Sequence, residues 1–163
     1  MKKKIVYVGL SADILHKGHI NILKTAAKLG KVTVGLLTDE AIASYKNIPY
    51  LNFDQRQIIL QNIKFVDKVI PQKTLDYVQN LKIIKPDFVV HGDDWKKGIQ
   101  KKTRARVIKA LNGWSGKLIE PKYTKNISST IIKNKILELA STPQNRVSRL
   151  KRLMETKNIV RIL

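Results

Sequence analysis

Five times along this chain a short apolar run rich in β-branched residues gives way to a stretch of helical period, and the connections are brief. Strands spaced this way are too far apart in sequence for hairpins, so they are expected to lie parallel with helices packed on both faces. The strands are expected at residues 4–10 ("KIVYVGL"), 31–37 ("KVTVGLL"), 66–70 ("VDKVI", halted by Pro71), 87–92 ("DFVVHG", after Pro86) and 117–121 ("KLIEP"). Between the first two, "HINILKTAAKLG" sets Ile20, Leu23, Ala26 and Ala27 at helical spacing and stops at Gly30. Asp54 is expected to cap a helix carrying Ile58, Ile59 and Ile63, and Thr74 to cap "LDYVQNLKII". A basic helix then runs from about Gln100 to Leu111, and Ser128 to Thr130 open a last helix reaching about Ala140. Residues 38–53 have no period, contain Pro49, and read as an irregular loop carrying Lys46. The fold class is therefore α/β: a doubly wound five-stranded parallel sheet over 1–140 with a helical extension over 141–163. The break falls at Ser141-Thr142-Pro143, beyond which a basic amphipathic helix sets Val147, Leu150, Leu153 and Met154 on one side. In such sheets ligands sit at the carboxyl ends of the strands where the strand order reverses, which directs attention to the loops after the first and fourth strands.

Composition narrows the function. An apolar share of 43% in 163 residues is enough to close one core. With no cysteine there is no disulfide framework, thiolate zinc site or thiol nucleophile, which suits the reducing cytoplasm where the protein is expected. The basic start Met1-Lys2-Lys3-Lys4 is followed by an apolar run that breaks at Ser11 and Asp13, too early for a secretory core. No stretch approaches the roughly 20 apolar residues of a membrane span. The formal charge of +20 attracts polyanions, whether nucleic acid, anionic lipid or a small phosphorylated substrate. Yet the lysines are spread along the chain, only Lys96-Lys97, Lys101-Lys102 and Arg104 to Lys109 form dense groups, and aromatic residues are few. The charge is expected to assist phosphate binding, with neither nucleic acid nor membrane as partner.

Chemistry enters at residues 11–23, "SADILHKGHINIL", where His16 and His19 flank Gly18 at a strand-to-helix turn. Gly18 lets the backbone approach a ligand closely, and the helix start behind it offers free N–H groups and a partial positive field. Two imidazoles aimed at the same place would stabilise charge building on a phosphate under attack. Two rival readings stand beside this one: a metal site, for which no third histidine or carboxylate has suitable spacing, and two ordinary histidines at a helix start.

The stretch "DILHKGH" resembles the HxGH signature of the nucleotidyltransferase superfamily, and "ISSTIIK" (127–133) resembles its second signature, ISSTxIR. "HGDDW" (91–95) and "KVIP" after "FVD" are similar to the cytidylyltransferase branch. The resemblance covers residues 4 to about 140 and implies a Rossmann-like nucleotidyltransferase fold. "ASYKNIPYLNFDQR" (43–56) and "RLKRLMETKNIVRIL" (149–163) further resemble proteins in which a cytidylyltransferase domain precedes a phosphoenolpyruvate phosphomutase of phosphonate biosynthesis. The implied reaction is transfer of CMP from CTP to a phosphonate such as 2-hydroxyethylphosphonate or 2-aminoethylphosphonate, with release of pyrophosphate. Glycerol 3-phosphate, another phosphomonoester, or adenylyl transfer are alternatives, and a non-catalytic basic nucleic-acid-binding module is a remote one. Two departures stand out: Leu10-Ser11-Ala12-Asp13 replaces the family's Gly-Thr-Phe-Asp, and Lys133 replaces the closing arginine, losing its bidentate fork.

The resemblance also distributes roles. His16, His19, Lys46 and Lys133 are the expected catalytic groups, the histidines holding α-phosphate oxygens as donors in either protonation state. Ser11, Ala12, Asp13, Gly18, His91, Asp94, Tyr123, Thr124, Ser128, Ser129 and Thr130 are expected around the nucleotide. Asp94, Trp95, Arg56 and Arg104 are expected near the acceptor, with Arg106 beside Arg104. Each has a plainer rival: an exposed loop lysine for Lys46, a helix cap for the serines, a salt bridge for Arg56, and a solvated basic face for Arg104 and Arg106. Asp13 is expected to orient His16 or to assist Mg2+, the hard cation that triphosphate chemistry usually uses, with its ligands unassigned. A homodimer completes the expectation.

Overall fold

A computed structural model describes residues 3–98 and 100–141. The elements follow in the order β1 (Ile5–Leu10), α1 (Lys17–Ala27), β2 (Lys31–Leu37), α2 (Asp39–Ala43), α3 (Phe53–Gln61), β3 (Lys68–Gln72), α4 (Val78–Ile84), β4 (Phe88–Val90), a 3-10 turn (Asp93–Lys96), α5 (Lys101–Asn112), β5 (Lys117–Ile119) and α6 (Ser129–Ser141). All five strands are parallel, in the order β3-β2-β1-β4-β5. This is the doubly wound α/β sheet that the alternation predicts. The chain divides after Ser129 into two units, and the sheet lies wholly in the first. The tail helix expected over 141–163 lies, beyond Ser141, outside the described residues.

The inner strands β1, β2 and β4 are largely apolar on both sides because each side is covered. Val6 and Val8 join Leu23, Ala26, Val34 and Leu60 in one core layer, while Tyr7 between them joins Tyr77, Leu81, Val89, Trp95, Val107 and Leu111 in the other. This is the two-sided burial that near-continuous apolar runs require. β2 and β3 extend to one side of β1, and the chain then crosses back to put β4 and β5 on the other. The loops leaving β1 and β4 therefore diverge, opening a crevice at their carboxyl ends.

Five local expectations are corrected. Pro71 does not halt β3 but lies inside it, opposite Leu36, because β3 is the edge strand and the N–H that proline lacks is not needed there. The stretch 38–53 is not wholly irregular: Thr38 caps α2 by accepting from the Ala41 N–H. The cap of α3 is Asn52 rather than Asp54, in a reciprocal pair with Gln55. Thr74 does not cap α4; its hydroxyl donates to the Asp76 carbonyl, and it is the Asp76 carboxylate that accepts from the Val78 N–H. Gly30 is needed for a reason other than ending α1, which stops at Ala27. A Cβ there would stand 2.2 Å from the Lys4 carbonyl oxygen, so only glycine lets the turn pass under the start of β1.

Candidate active site at the β1 and β4 crevice

Helix α1 begins at Lys17 with His16 as its cap. The His16 Nδ1 accepts from the Gly18 N–H at 3.1 Å, and the His19 Nδ1 accepts from the His16 N–H at 3.3 Å. This is the geometry of a capping box, with imidazoles where serine and glutamate usually stand. The arrangement fixes both tautomers. Since Nδ1 accepts in each ring, the proton of a neutral imidazole sits on Nε2. Ring centroids are 3.9 Å apart, so two N–H donors stand side by side. Gly18 has a specific reason: a Cβ would meet His16 Cε1 and Nδ1 at 2.8 and 2.9 Å and push the ring out of the cap.

Burial lowers the pKa of His16, and it lowers that of His19 to about 3, with repulsion from His16 when protonated and from the Lys46 ammonium adding to the effect. Both rings are therefore neutral near pH 7 in the free protein. The expectation of donors in either protonation state narrows to one neutral donor each. Lys46 is exposed, its ammonium 5.1 Å from the Tyr45 ring centroid, close enough for its charge to be felt at His19.

The loop carrying Lys46 is pinned at both ends. Asp13 is buried, and its Oδ1 accepts from the Tyr50 N–H at 2.7 Å and the Leu51 N–H at 3.1 Å, so this oxygen anchors the returning end of that loop. Arg56 is fully buried, and its guanidinium donates to the carbonyls of Ser11, Leu37 and Leu51 and to the Asp39 carboxylate. That is the ion pair named as its plainer rival, though inside the protein rather than on a helix face. Four donated bonds leave this side chain holding the β1 turn, the end of β2 and the loop together. Ala12, next to Ser11, has φ of 50°, a left-handed conformation costly for a residue with a Cβ.

On the other side of the crevice, β4 ends at Val90 and His91 follows. Its Nδ1 lies 2.8 Å from the Gly92 carbonyl oxygen and must donate to it, so here Nε2 is the bare acceptor. Burial lowers this pKa too, against opposing contributions from the Gly92 carbonyl, Asp94 and Glu120. The His91 ring stacks on Trp95 with centroids 3.9 Å apart and 7° between planes. Trp95 is only 1% exposed and donates from Nε1 to Glu120, which also receives a two-pronged bond from Arg104. Arg106 pairs instead with Asp76. Trp95 and Arg104, both expected near the acceptor, thus meet on Glu120, which the sequence reading did not single out. The available signal was an acid ending an apolar strand beside Pro121.

Residues 121–129 run across both turns. The Tyr123 N–H donates to Asp93 Oδ1 at 2.8 Å, beside the β4 turn. Asn21 on α1 donates to Thr124 Oγ1 at 3.0 Å, and the Ser129 hydroxyl donates to the Ile14 carbonyl at 3.2 Å, inside the β1 turn. The start of the second signature is therefore joined to the loop of the first. Ser128 precedes that contact; Thr130 and Lys133 belong to the second unit and are described as residues of α6 alone. Among the described residues no cluster of three histidine, aspartate or glutamate side chains could hold a metal ion, and no helix is long and apolar enough to cross a membrane.

The sequence model of the family "Cytidylyltransferase-like" matches residues 7–135, and the chain belongs to that family. It is 38% identical over 98 residues to the glycerol-3-phosphate cytidylyltransferase of Bacillus subtilis, covering 59% of this chain and 74% of that protein. It is 35% identical over 142 residues to the ethanolamine-phosphate cytidylyltransferase of Dictyostelium discoideum, covering 83% of this chain but 38% of the longer relative. A crystal structure of a lipopolysaccharide core biosynthesis protein from Thermoplasma volcanium superposes with a TM-score of 0.63 at 25% identity, over 77% of this chain and all of that one.

Proposed function

We propose that this member of the cytidylyltransferase-like family transfers CMP from CTP to a small phosphomonoester, releasing pyrophosphate. The observation that supports it most is the joining of the two signature regions: Ser129 is bonded to Ile14 in the turn before the imidazole pair, and Thr124 to Asn21 on the helix that the pair opens. The reacting oxygen belongs to the acceptor's phosphoryl group. It attacks the α-phosphorus of CTP in line, a new P–O–P bond forms, the bond to the β-phosphate oxygen breaks, and pyrophosphate leaves with that electron pair. No covalent enzyme intermediate is required. His16 and His19 donate Nε2–H bonds to α-phosphate oxygens as they gain charge, and Lys46 supplies a cation to the phosphate chain. Neutral donors suit this task because they hold an anion without a proton that must first be lost.

Magnesium fits this reading as an ion carried by the triphosphate, since the described residues build no cage of their own for it. A phosphonate acceptor is the second reading, favoured by residues 43–56, which resemble the fused phosphonate-pathway enzymes. Both acceptors present the same dianionic head. Phosphorus NMR with magnesium, CTP or ATP, and a panel of glycerol 3-phosphate, phosphoethanolamine and the two phosphonates separates them. A mixed diphosphate and free pyrophosphate with CTP and one acceptor is the expected result. Absence of any such product with every pair would overturn the proposal. The proposed working form is a homodimer, which sedimentation of the full chain measures.

A further inference from the structure

We propose that Glu120 is a positioning residue that acts through Trp95 to hold His91 as a hydrogen-bond acceptor at the rim of the crevice. The inference rests on the cytidylyltransferase reading for its kinetic consequence, though not for its geometry. An imidazole presents a defined atom to a ligand only if its plane and its rotation within that plane are both fixed. Trp95 fixes the plane, by a face-to-face stack of 3.9 Å and 7°. The Gly92 carbonyl fixes the rotation, by taking the Nδ1–H at 2.8 Å. What then fixes Trp95 is Glu120, whose Oε1 accepts the indole N–H at 2.7 Å.

Glu120 is itself held. Arg104 donates to its two oxygens at 2.8 and 2.9 Å, and the Lys96 ammonium stands 3.8 Å from Oε2. Bidentate pairing of this kind sets direction as well as energy. The bond from Arg104, with Trp95 and nearby positive charge assisting, lowers the Glu120 pKa to about 2, so the carboxylate is charged at every working pH. Tyr77, itself buried, backs the stack with its ring 5.8 Å from Trp95 and 6.3 Å from His91. An ion pair serving stability alone would not need its carboxylate shared with the ring beneath a crevice histidine. The ligand edge facing His91 must accordingly carry an N–H or O–H donor, the opposite of what His16 and His19 receive.

The chain has three histidines, so nitrogen-15 NMR of the labelled full-length protein reads every imidazole tautomer separately. The expected wild-type result at neutral pH is a proton on Nδ1 for His91 and on Nε2 for His16 and His19. In Glu120→Ala the His91 signal moves to the mixed position of a freely turning neutral ring, while the other two, which also report that the fold is intact, do not move. Glu120→Gln, which keeps an oxygen for Trp95 but loses the negative charge that pairs with Arg104, gives a smaller shift and serves if the alanine variant fails to fold. In turnover assays Glu120→Ala and His91→Ala each raise one substrate's KM roughly tenfold, with kcat little changed, and the double variant is no worse than either. An unmoved His91 signal in a folded Glu120 variant, or fully additive KM effects, overturns the proposal. A wild-type protein with no turnover on any pair defeats the cytidylyltransferase reading while the tautomer measurement still decides this one.

Discussion

The turns leaving β1 and β4 carry histidines of opposite hydrogen-bonding sign. His16 and His19 face backbone N–H groups, so each keeps its proton on Nε2 and offers a donor. His91 faces a backbone carbonyl, so its proton sits on Nδ1 and Nε2 is left as a lone pair. All three rings have lowered pKa values with burial as the largest cause, so charge does not distinguish them. The difference comes from where each stands on its element: at a helix N-terminus the unpaired groups are donors, whereas just past a strand a carbonyl was available. Residue type alone does not set what a histidine offers a ligand; the nearest backbone group does.

The comparison can be broken most sharply at the donors. His16→Ala or His19→Ala should reduce kcat by about 100- to 1,000-fold, the effect of removing one preorganised donor to a developing anion, whereas His91→Ala should raise a KM roughly tenfold. Steady-state kinetics on all three variants measures this, and equal losses on both sides would erase the distinction. The glycines test it next. Gly18→Ala drives a methyl into the His16 ring and should lower turnover by roughly ten- to a hundredfold in a folded protein. Gly92→Ala meets the end of the Asp94 side chain at 2.7 Å, which can shift more easily than a ring held in a helix cap, and should lower turnover less than Gly18→Ala does.

Smallest in effect, and read by stability, is pH. A histidine with a lowered folded pKa contributes stability that is full above the unfolded value of about 6.5 and is lost as pH falls. For His19 that loss runs from about 6.5 down to about 3. A carboxylate with a lowered folded pKa is fully stabilising above its unfolded value, and for Glu120 the loss runs from about 4.5 down to about 2. Urea unfolding between pH 7 and 4.5 should therefore show a decline that His19→Asn reduces and Glu120→Gln leaves in place. Below pH 4.5 the second variant should flatten the curve.

The alternation of apolar runs with helical periods determined the parallel sheet, because a strand buried on both faces has to be apolar throughout and a crossover needs a helix's length of chain. It also made the β1 turn legible, since His16, Gly18 and His19 lie within four consecutive residues and a local motif needs no tertiary contact to be read. The β4 side was legible only in part. His91 and Trp95 stand in plain view in "HGDDW", yet the carboxylate that aligns them is Glu120, 25 residues further on, and Arg104 reaches it from another helix. Likewise Arg56, expected near the acceptor with a salt bridge as its plainer rival, is buried by folding against the carbonyls of Ser11, Leu37 and Leu51. Periodicity registers which face of an element is apolar, but the hydrogen-bond partner of a buried polar group is chosen by whichever donor or acceptor the fold carries to it.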